Sequence, residues 1–101
     1  MKAKSDIKTI CVHEGELKDR RYKGVVSPLY LSSAYAFDGV DEKRYPRYFN
    51  TPNQEALAQK LAALEGGESA LIFGSGMAAI STALLSQLKQ GDHVVFQHDI
   101  Y

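Results

Sequence analysis

Residues 69–81, Ser-Ala-Leu-Ile-Phe-Gly-Ser-Gly-Met-Ala-Ala-Ile-Ser, constrain the fold of this chain more than any other stretch. Ala70, Leu71, Ile72 and Phe73 form a short apolar run suited to a buried strand, and the run breaks at Gly74-Ser75-Gly76. Beyond it Met77, Ala78, Ala79, Ile80, Ala83, Leu84, Leu85 and Leu88 recur at helical spacing. A strand that turns through glycines into a helix leaves the first N–H groups of that helix without intrahelical partners. Those donors and the positive end of the helix dipole suit a phosphate. Gly76 offers no side chain to block a close approach. Two readings stand at this corner: an anion site, or a bare turn with Ser75 as N-cap and no ligand. The same residues satisfy the loose dinucleotide pattern Gly74-x-Gly76-x-x-Ala79.

Composition narrows the class. The chain has 101 residues, 45% apolar and 24% charged, with formal net charge zero, which is globular composition sized for at most one domain. Balanced charge without a basic cluster argues against a nucleic-acid partner. No apolar run approaches the roughly 20 residues of a membrane span, so no membrane partner is expected. The start, Met1 to Lys8, is charged and lacks an apolar signal core. Cys11 is the single cysteine, which fits a reducing compartment; a cytoplasmic protein is the expectation.

A helix opens at Thr51, with Thr as cap, Pro52 at the first helical position and Gln54 set to close a capping box. Leu57, Leu61 and Leu64, with Ala58 and Ala62, continue it as an apolar stripe, and Gly66-Gly67 ends it. Strand 69–73, a helix over about 76–88, a turn at Gly91-Asp92 and a second strand, 93–97, then make a right-handed βαβ unit with parallel strands. In such sheets ligands sit beyond the carboxyl ends of the strands. That expectation brings Gly74–Met77 and Asp99–Tyr101 to one rim. Two parallel strands cannot cover both faces of a sheet, so the chain reads as the front part of something longer.

The first half is less regular. Residues 1 to about 9 read as a polar, loose start; 11–15 show no clear period; 16–24 are charged and loop-like. Residues 25–37 suggest extended chain interrupted by Pro28, and 38–50 alternate charge with Tyr45, Tyr48 and Phe49 around Pro46. Aromatic-rich chain without periodicity packs on something outside itself. The expected division is an arm, 1–50, and the beginning of an α/β domain, 51–101.

Tyr45-Pro-Arg47, Asn50 and Pro52, Leu64-Glu-Gly-Gly-Glu68, Ser75-Gly-Met-Ala-Ala-Ile80, Leu88-Lys-x-Gly-Asp-His-Val-Val95 and His98-Asp-Ile-Tyr101 together resemble the N-terminal portion of the Cys/Met-metabolism (trans-sulfuration) family of pyridoxal-phosphate enzymes. Val12-His-x-Gly15 and Pro28-Leu-Tyr-Leu-Ser-Ser33 resemble that family's entry segment, so the likeness runs from about Thr9 to Tyr101. The family includes cystathionine γ-synthase, cystathionine β- and γ-lyases, methionine γ-lyase and homoserine sulfhydrylases.

The resemblance implies an α/β, fold-type-I transferase, here as its N-terminal arm and the start of a mostly parallel-sheet cofactor domain. The implied cofactor is pyridoxal 5'-phosphate, held at its phosphate by the amides of Gly76 and Met77. Tyr101 would stack on the pyridine ring and help steer protons. Tyr45 and Arg47 would reach the phosphate of a neighbouring subunit's cofactor, which demands at least a homodimer and suggests a tetramer. The implied activity is β- or γ-elimination or replacement on cystathionine-, methionine-, cysteine- or activated homoserine-type amino acids. A carbon–sulfur lyase is the first expectation, with cystathionine γ-synthase or O-acylhomoserine sulfhydrylase as alternatives. The lysine that bonds the cofactor, an aspartate at the pyridine nitrogen and a phosphate-binding Ser or Thr are implied beyond Tyr101, on the remainder of the same polypeptide, so this segment alone is expected to be inactive.

Departures from the family pattern are Pro46 between Tyr45 and Arg47, Thr51 before the proline, and Arg44 where some members carry an acidic residue that reads the substrate's distal amino group. From other classes, a nicotinamide-dinucleotide dehydrogenase or a non-catalytic interaction module remains possible on the residues alone. His93 and His98 lack further ligands at metal spacing, so no metal is expected. Glu65 and Glu68 read as helix-end and turn carboxylates, and His13 as structural.

Overall fold

Thr51, Pro52 and Gln54 begin the longest helix of the chain by local chemistry. The computed structural model describes residues 6–100. In it α1 spans Ile7–His13, a single 3₁₀ turn spans Pro46–Tyr48, α2 spans Pro52–Glu65 and α3 spans Gly76–Gln87. Gln54 Oε1 accepts from the Thr51 hydroxyl at 2.7 Å and the Thr51 N–H at 3.2 Å, the return half of a capping box. At the other end Gly66 takes φ 67°, and the Gly67 N–H donates to the Ala62 carbonyl at 2.8 Å. Only a residue without a Cβ enters that left-handed conformation freely.

Helix α1 corrects the expectation of a loose start to about residue 9 and an aperiodic 11–15. Residues 1–5 lie outside the described residues. A seven-residue helix is too short to stand by itself in water. This one lies on α2, the one pair of helices in contact among the described residues. Lys60 of α2 donates to the carbonyls of Cys11 at 3.0 Å and Val12 at 3.3 Å, covering the negative end of α1 with a cation. After α1 the chain turns at Gly15, φ 73°, directly against α2.

From Glu16 to Phe37 the chain is extended and irregular, held at a few points. Ser27 Oγ accepts from the Leu17 N–H at 3.0 Å. Asn53, on the first turn of α2, accepts from the Tyr30 N–H at 3.1 Å and donates to the Tyr30 carbonyl at 2.6 Å, pairing with that backbone as a neighbouring strand would. Between these points apolar side chains face solvent, Val25 at 96% exposure and Leu31 at 88%.

The expected parallel strands 69–73 and 93–97 are not present. Both segments carry no ladder, and the described residues contain helices and turns only. A strand exists through hydrogen bonds to a neighbour, and here neither segment has one. The turn expected between them does form: Gly91 takes φ 98°, the Asp92 N–H reaches the Lys89 carbonyl at 3.1 Å, and Asp92 Oδ2 accepts from the Lys89 N–H at 2.7 Å.

Helix α3 runs as expected, ending one residue early with Leu88 as its cap. Its apolar residues lie on all sides, a pattern suited to burial. No α3 residue is buried among the described residues, and Leu57 and Leu61 of α2 are uncovered too. The accessible surface is 9357 Å², where a self-contained monomer of 11.2 kDa would expose about 5,700 Å². Ala62 is the buried apolar residue of the described chain. These helices are formed by local signals, and their apolar faces are uncovered among the described residues.

Candidate cofactor-phosphate site

At the start of α3 the two readings of the glycine corner prove compatible. Ser75 is extended, φ −155° and ψ 156°, and caps the helix: its Oγ accepts from the Ala78 N–H at 3.1 Å. Its carbonyl accepts from the Ala79 N–H at 3.2 Å. The cap therefore satisfies the third and fourth amides and leaves those of Gly76 and Met77 without a partner among the described residues. Two adjacent N–H groups at a helix N-terminus make a phosphate cradle of the kind anions select.

The glycines around that cradle sharpen the point. Neither Gly74 nor Gly76 has a left-handed φ, and a Cβ on either would meet no atom within 4 Å. Nothing inside the described chain requires glycine at either position. The open space beside two unpaired donors fits a phosphate, which needs both the donors and the absence of a side chain. Met77 contributes its amide, leaving its half-exposed side chain free to pack elsewhere.

Tyr45 and Arg47 flank Pro46 on the 3₁₀ turn, and their backbone is held firmly. Asn50 Oδ1 accepts from the Tyr45 N–H at 3.0 Å, and Asn50 Nδ2 donates to the Lys43 carbonyl at 2.8 Å. Gln54 Nε2 donates to the Pro46 carbonyl at 3.0 Å. Phe49, at φ 57°, reverses the chain into α2. The Tyr45 ring meets Tyr48 edge-on at 5.5 Å, and both rings are solvent-exposed. The exposed Arg47 has no ion pair among the described residues. A fixed backbone thus presents a free phenol and a free guanidinium.

Arg44, one of the three departures from the family pattern, is engaged through both terminal nitrogens of its guanidinium. Its guanidinium lies 2.8 Å from Glu42 and 2.8 Å from Glu55, and it donates to the Asn50 carbonyl. The hydrogen bond that Arg44 donates to Glu55 raises the Arg44 pKa above its ordinary value, so it is a permanent cation. Beside it the Tyr35 hydroxyl is buried with no hydrogen-bond partner among the described residues. The sequence marks Asn50 as part of the family motif and Arg44 as a departure from it, but shows neither residue's contacts. Glu55 at the fourth position from Thr51 was the available signal, since an acidic residue in a first helical turn draws a nearby cation.

The Tyr45–Arg47 turn and the Gly76–Met77 corner share no hydrogen bond or ion pair among the described residues. Phe49, at the end of the turn, and Phe73, next to Gly74, bring their rings to 5.7 Å. Tyr101 lies outside the described residues. His13 sits 3.4 Å from Glu16 and His98 3.1 Å from Asp99, both pairs on the surface. No group of three metal-ligating side chains occurs among the described residues, and no helix there is long and apolar enough to cross a membrane.

Comparison with known proteins follows this geometry. The family described as Cys/Met metabolism PLP-dependent enzyme matches residues 8–101. Cystathionine gamma-synthase of Escherichia coli (strain K12) is 42% identical over 96 residues, covering 92% of this chain and 25% of that protein. L-methionine gamma-lyase of Fusobacterium nucleatum subsp. nucleatum is 38% identical over 109 residues, covering 97% of this chain and 27% of that protein. Probable cystathionine gamma-synthase of Herpetosiphon aurantiacus is 40% identical over 95 residues, covering 92% and 30%. The chain thus spans between a quarter and a third of the length of these relatives. No solved structure matches.

Proposed function

Since the chain belongs to the Cys/Met metabolism family of PLP-dependent enzymes, we propose that it is the N-terminal part of an enzyme of sulfur amino acid metabolism that eliminates or replaces a group at the γ carbon of an amino acid. Both kinds of relative named above carry out chemistry designated gamma, one as a synthase and one as a lyase. A carbon–sulfur lyase and a cystathionine-forming synthase are two outcomes of that reaction class. A PLP-dependent family favours a single phosphate over a dinucleotide at Gly74-x-Gly76-x-x-Ala79.

The observation that carries this reading is the pair of unpartnered amides at Gly76 and Met77, in open space that nothing inside the chain explains. In the proposal these amides hold the cofactor phosphate. When bound, pyridoxal phosphate supplies an electron-withdrawing ring that stabilises negative charge at the substrate α carbon. Arg47 of a second copy would hold the phosphate with its planar fork, and Tyr45 of that copy would donate a hydrogen bond to it. Tyr101 would serve the ring and hold a proton at its hydroxyl, as the resemblance implies. The exposure of Tyr45 and of Arg47, which has no ion pair among the described residues, supports their use on a neighbouring copy.

The proposal extends to architecture. Uncovered apolar faces on α2 and α3 support a mostly parallel sheet of fold type I, completed by further chain, with 1–50 as an arm on a neighbour and 51–101 opening the cofactor domain. A cytoplasmic homo-oligomer, at least a dimer, follows from the same reading. The test is the full-length protein purified without added cofactor. A visible absorption band near roughly 420 nm, discharged by carbonyl reagents, is expected. A colourless protein that takes up no pyridoxal phosphate overturns the reading, and enhanced nicotinamide fluorescence would favour a dehydrogenase instead.

A further inference from the structure

We propose that Arg44 is a positioning residue that fixes the Tyr45–Arg47 turn to the first turn of α2, and so sets where Tyr45 and Arg47 reach a neighbouring copy's cofactor phosphate. The inference rests on the function proposed above and adds a role at one of the positions where this chain departs from its family pattern.

The turn that carries Tyr45 and Arg47 is short and exposed, and a backbone of that kind needs outside support to hold one orientation. Three supports are visible, all based on or beside the start of α2. Gln54 holds the Pro46 carbonyl, and Asn50 holds the Tyr45 N–H and the Lys43 carbonyl. Arg44 ties these together, because its guanidinium reaches Glu55 on α2, Glu42 before the turn and the carbonyl of Asn50 itself. Acceptors on two separated nitrogens suit a planar fork, which spans them better than the compact head of an ammonium. Arg44 is about a quarter exposed, whereas Arg47 is exposed and has no ion pair among the described residues. The two arginines divide the labour: one is spent on the chain's own backbone and carboxylates, and the other is left for a ligand. With its donors so engaged and its charge positive, Arg44 is not available to read a substrate amino group.

The Asn50 contact is what makes the effect directional. Arg44 holds the main chain of the residue whose side chain holds Tyr45. Loss of Arg44 therefore frees Asn50, and through it the backbone that presents Tyr45 and Arg47. Helix α2 keeps its own cap through Thr51 and Gln54, which does not depend on Arg44.

The experiment is a double-mutant cycle on the full-length holoenzyme, reading the rate at which pyridoxal phosphate is released and, alongside it, the melting temperature of the apoenzyme. Arg44→Met is expected to speed release about tenfold in the otherwise unchanged enzyme, the scale of one charged hydrogen bond. It is expected to add nothing in a Tyr45→Phe/Arg47→Met background, because it acts only through those side chains. Arg44→Lys should fall between, and Glu55→Gln, which leaves every side chain near its original size, should speed release in the same direction. An equal effect of Arg44→Met in both backgrounds, or no effect in either, overturns the positioning role. If Tyr45→Phe/Arg47→Met itself leaves release unchanged, the cross-subunit phosphate contact fails, and the role of Arg44 fails with it.

Discussion

Gly15 and Ala56 approach so closely that a Cβ on Gly15 would lie 2.2 Å from the Ala56 carbonyl oxygen. The same Cβ would stand 3.2 Å from the Lys60 nitrogen, and Gly15 also takes φ 73°. Two independent reasons therefore demand glycine where the segment after α1 crosses α2. Both atoms in the way are backbone and cannot swing aside.

Gly15→Ala is accordingly expected to destabilise the full-length protein by about 2 kcal/mol or more, combining left-handed strain with overlap in a packed contact. Urea unfolding would measure it. Loss of less than about 0.5 kcal/mol would mean that α1 and α2 do not cross at this distance.

Gly76 presents the opposite case. A Cβ there meets nothing, and alanine has the better helix propensity, so Gly76→Ala should leave the apoenzyme's melting temperature unchanged or raise it. The same substitution should weaken pyridoxal phosphate binding at least tenfold by filling the space beside the two free amides. A variant that loses apoenzyme stability and keeps its cofactor would reverse both statements.

Tyr35→Phe removes a buried hydroxyl that has no partner among the described residues. Deleting an unpaired polar group is neutral or favourable, so stability should stay level or rise by up to about 1 kcal/mol. A loss larger than about 1 kcal/mol, seen in thermal melts, would show that the hydroxyl is bonded in the assembled enzyme.

The turn at 19–24 should respond to acid. Asp19 accepts from the N–H groups of Tyr22 at 2.9 Å, Arg21 at 3.0 Å and Gly24 at 3.2 Å, and the Tyr22 hydrogen bond leads in lowering its pKa below the usual 3.8. A carboxylate with a lowered folded pKa contributes order above its unfolded value and loses it as pH falls through the folded value. Amide signals of 21–24 should therefore stay fixed at neutral pH and shift only below pH 3.8. Asp19→Asn should abolish that acid transition; a transition persisting in the variant assigns it to another group.

How much could be read in advance follows the range of the interactions involved. Thr51, Pro52, Gln54 and Gly66 carry α2 within a few residues of each end, and Ser75 carries the start of α3, so both helices were legible. The Gly76–Met77 corner was legible for the same reason: unpaired amides are a property of any helix start. Helix α1 was not, because Lys60, which covers its end, lies 49 residues from Cys11 in the chain. The work of Arg44 was not legible either, since its position marked only a departure from the family pattern and its pairing with Glu55 exists once α2 folds beside the turn.

The amino-acid order alone determined the helix boundaries, the caps, the glycine corner and the motifs that mark the family, because each depends on backbone bonds closed within a turn or two. Tertiary structure alone decided that a short N-terminal helix forms against Lys60, and that Arg44 is bound to Glu55 while Arg47 has no ion pair among the described residues. Each outcome depends on which groups the folded chain brings together, and an ion pair has no existence until both partners are in place.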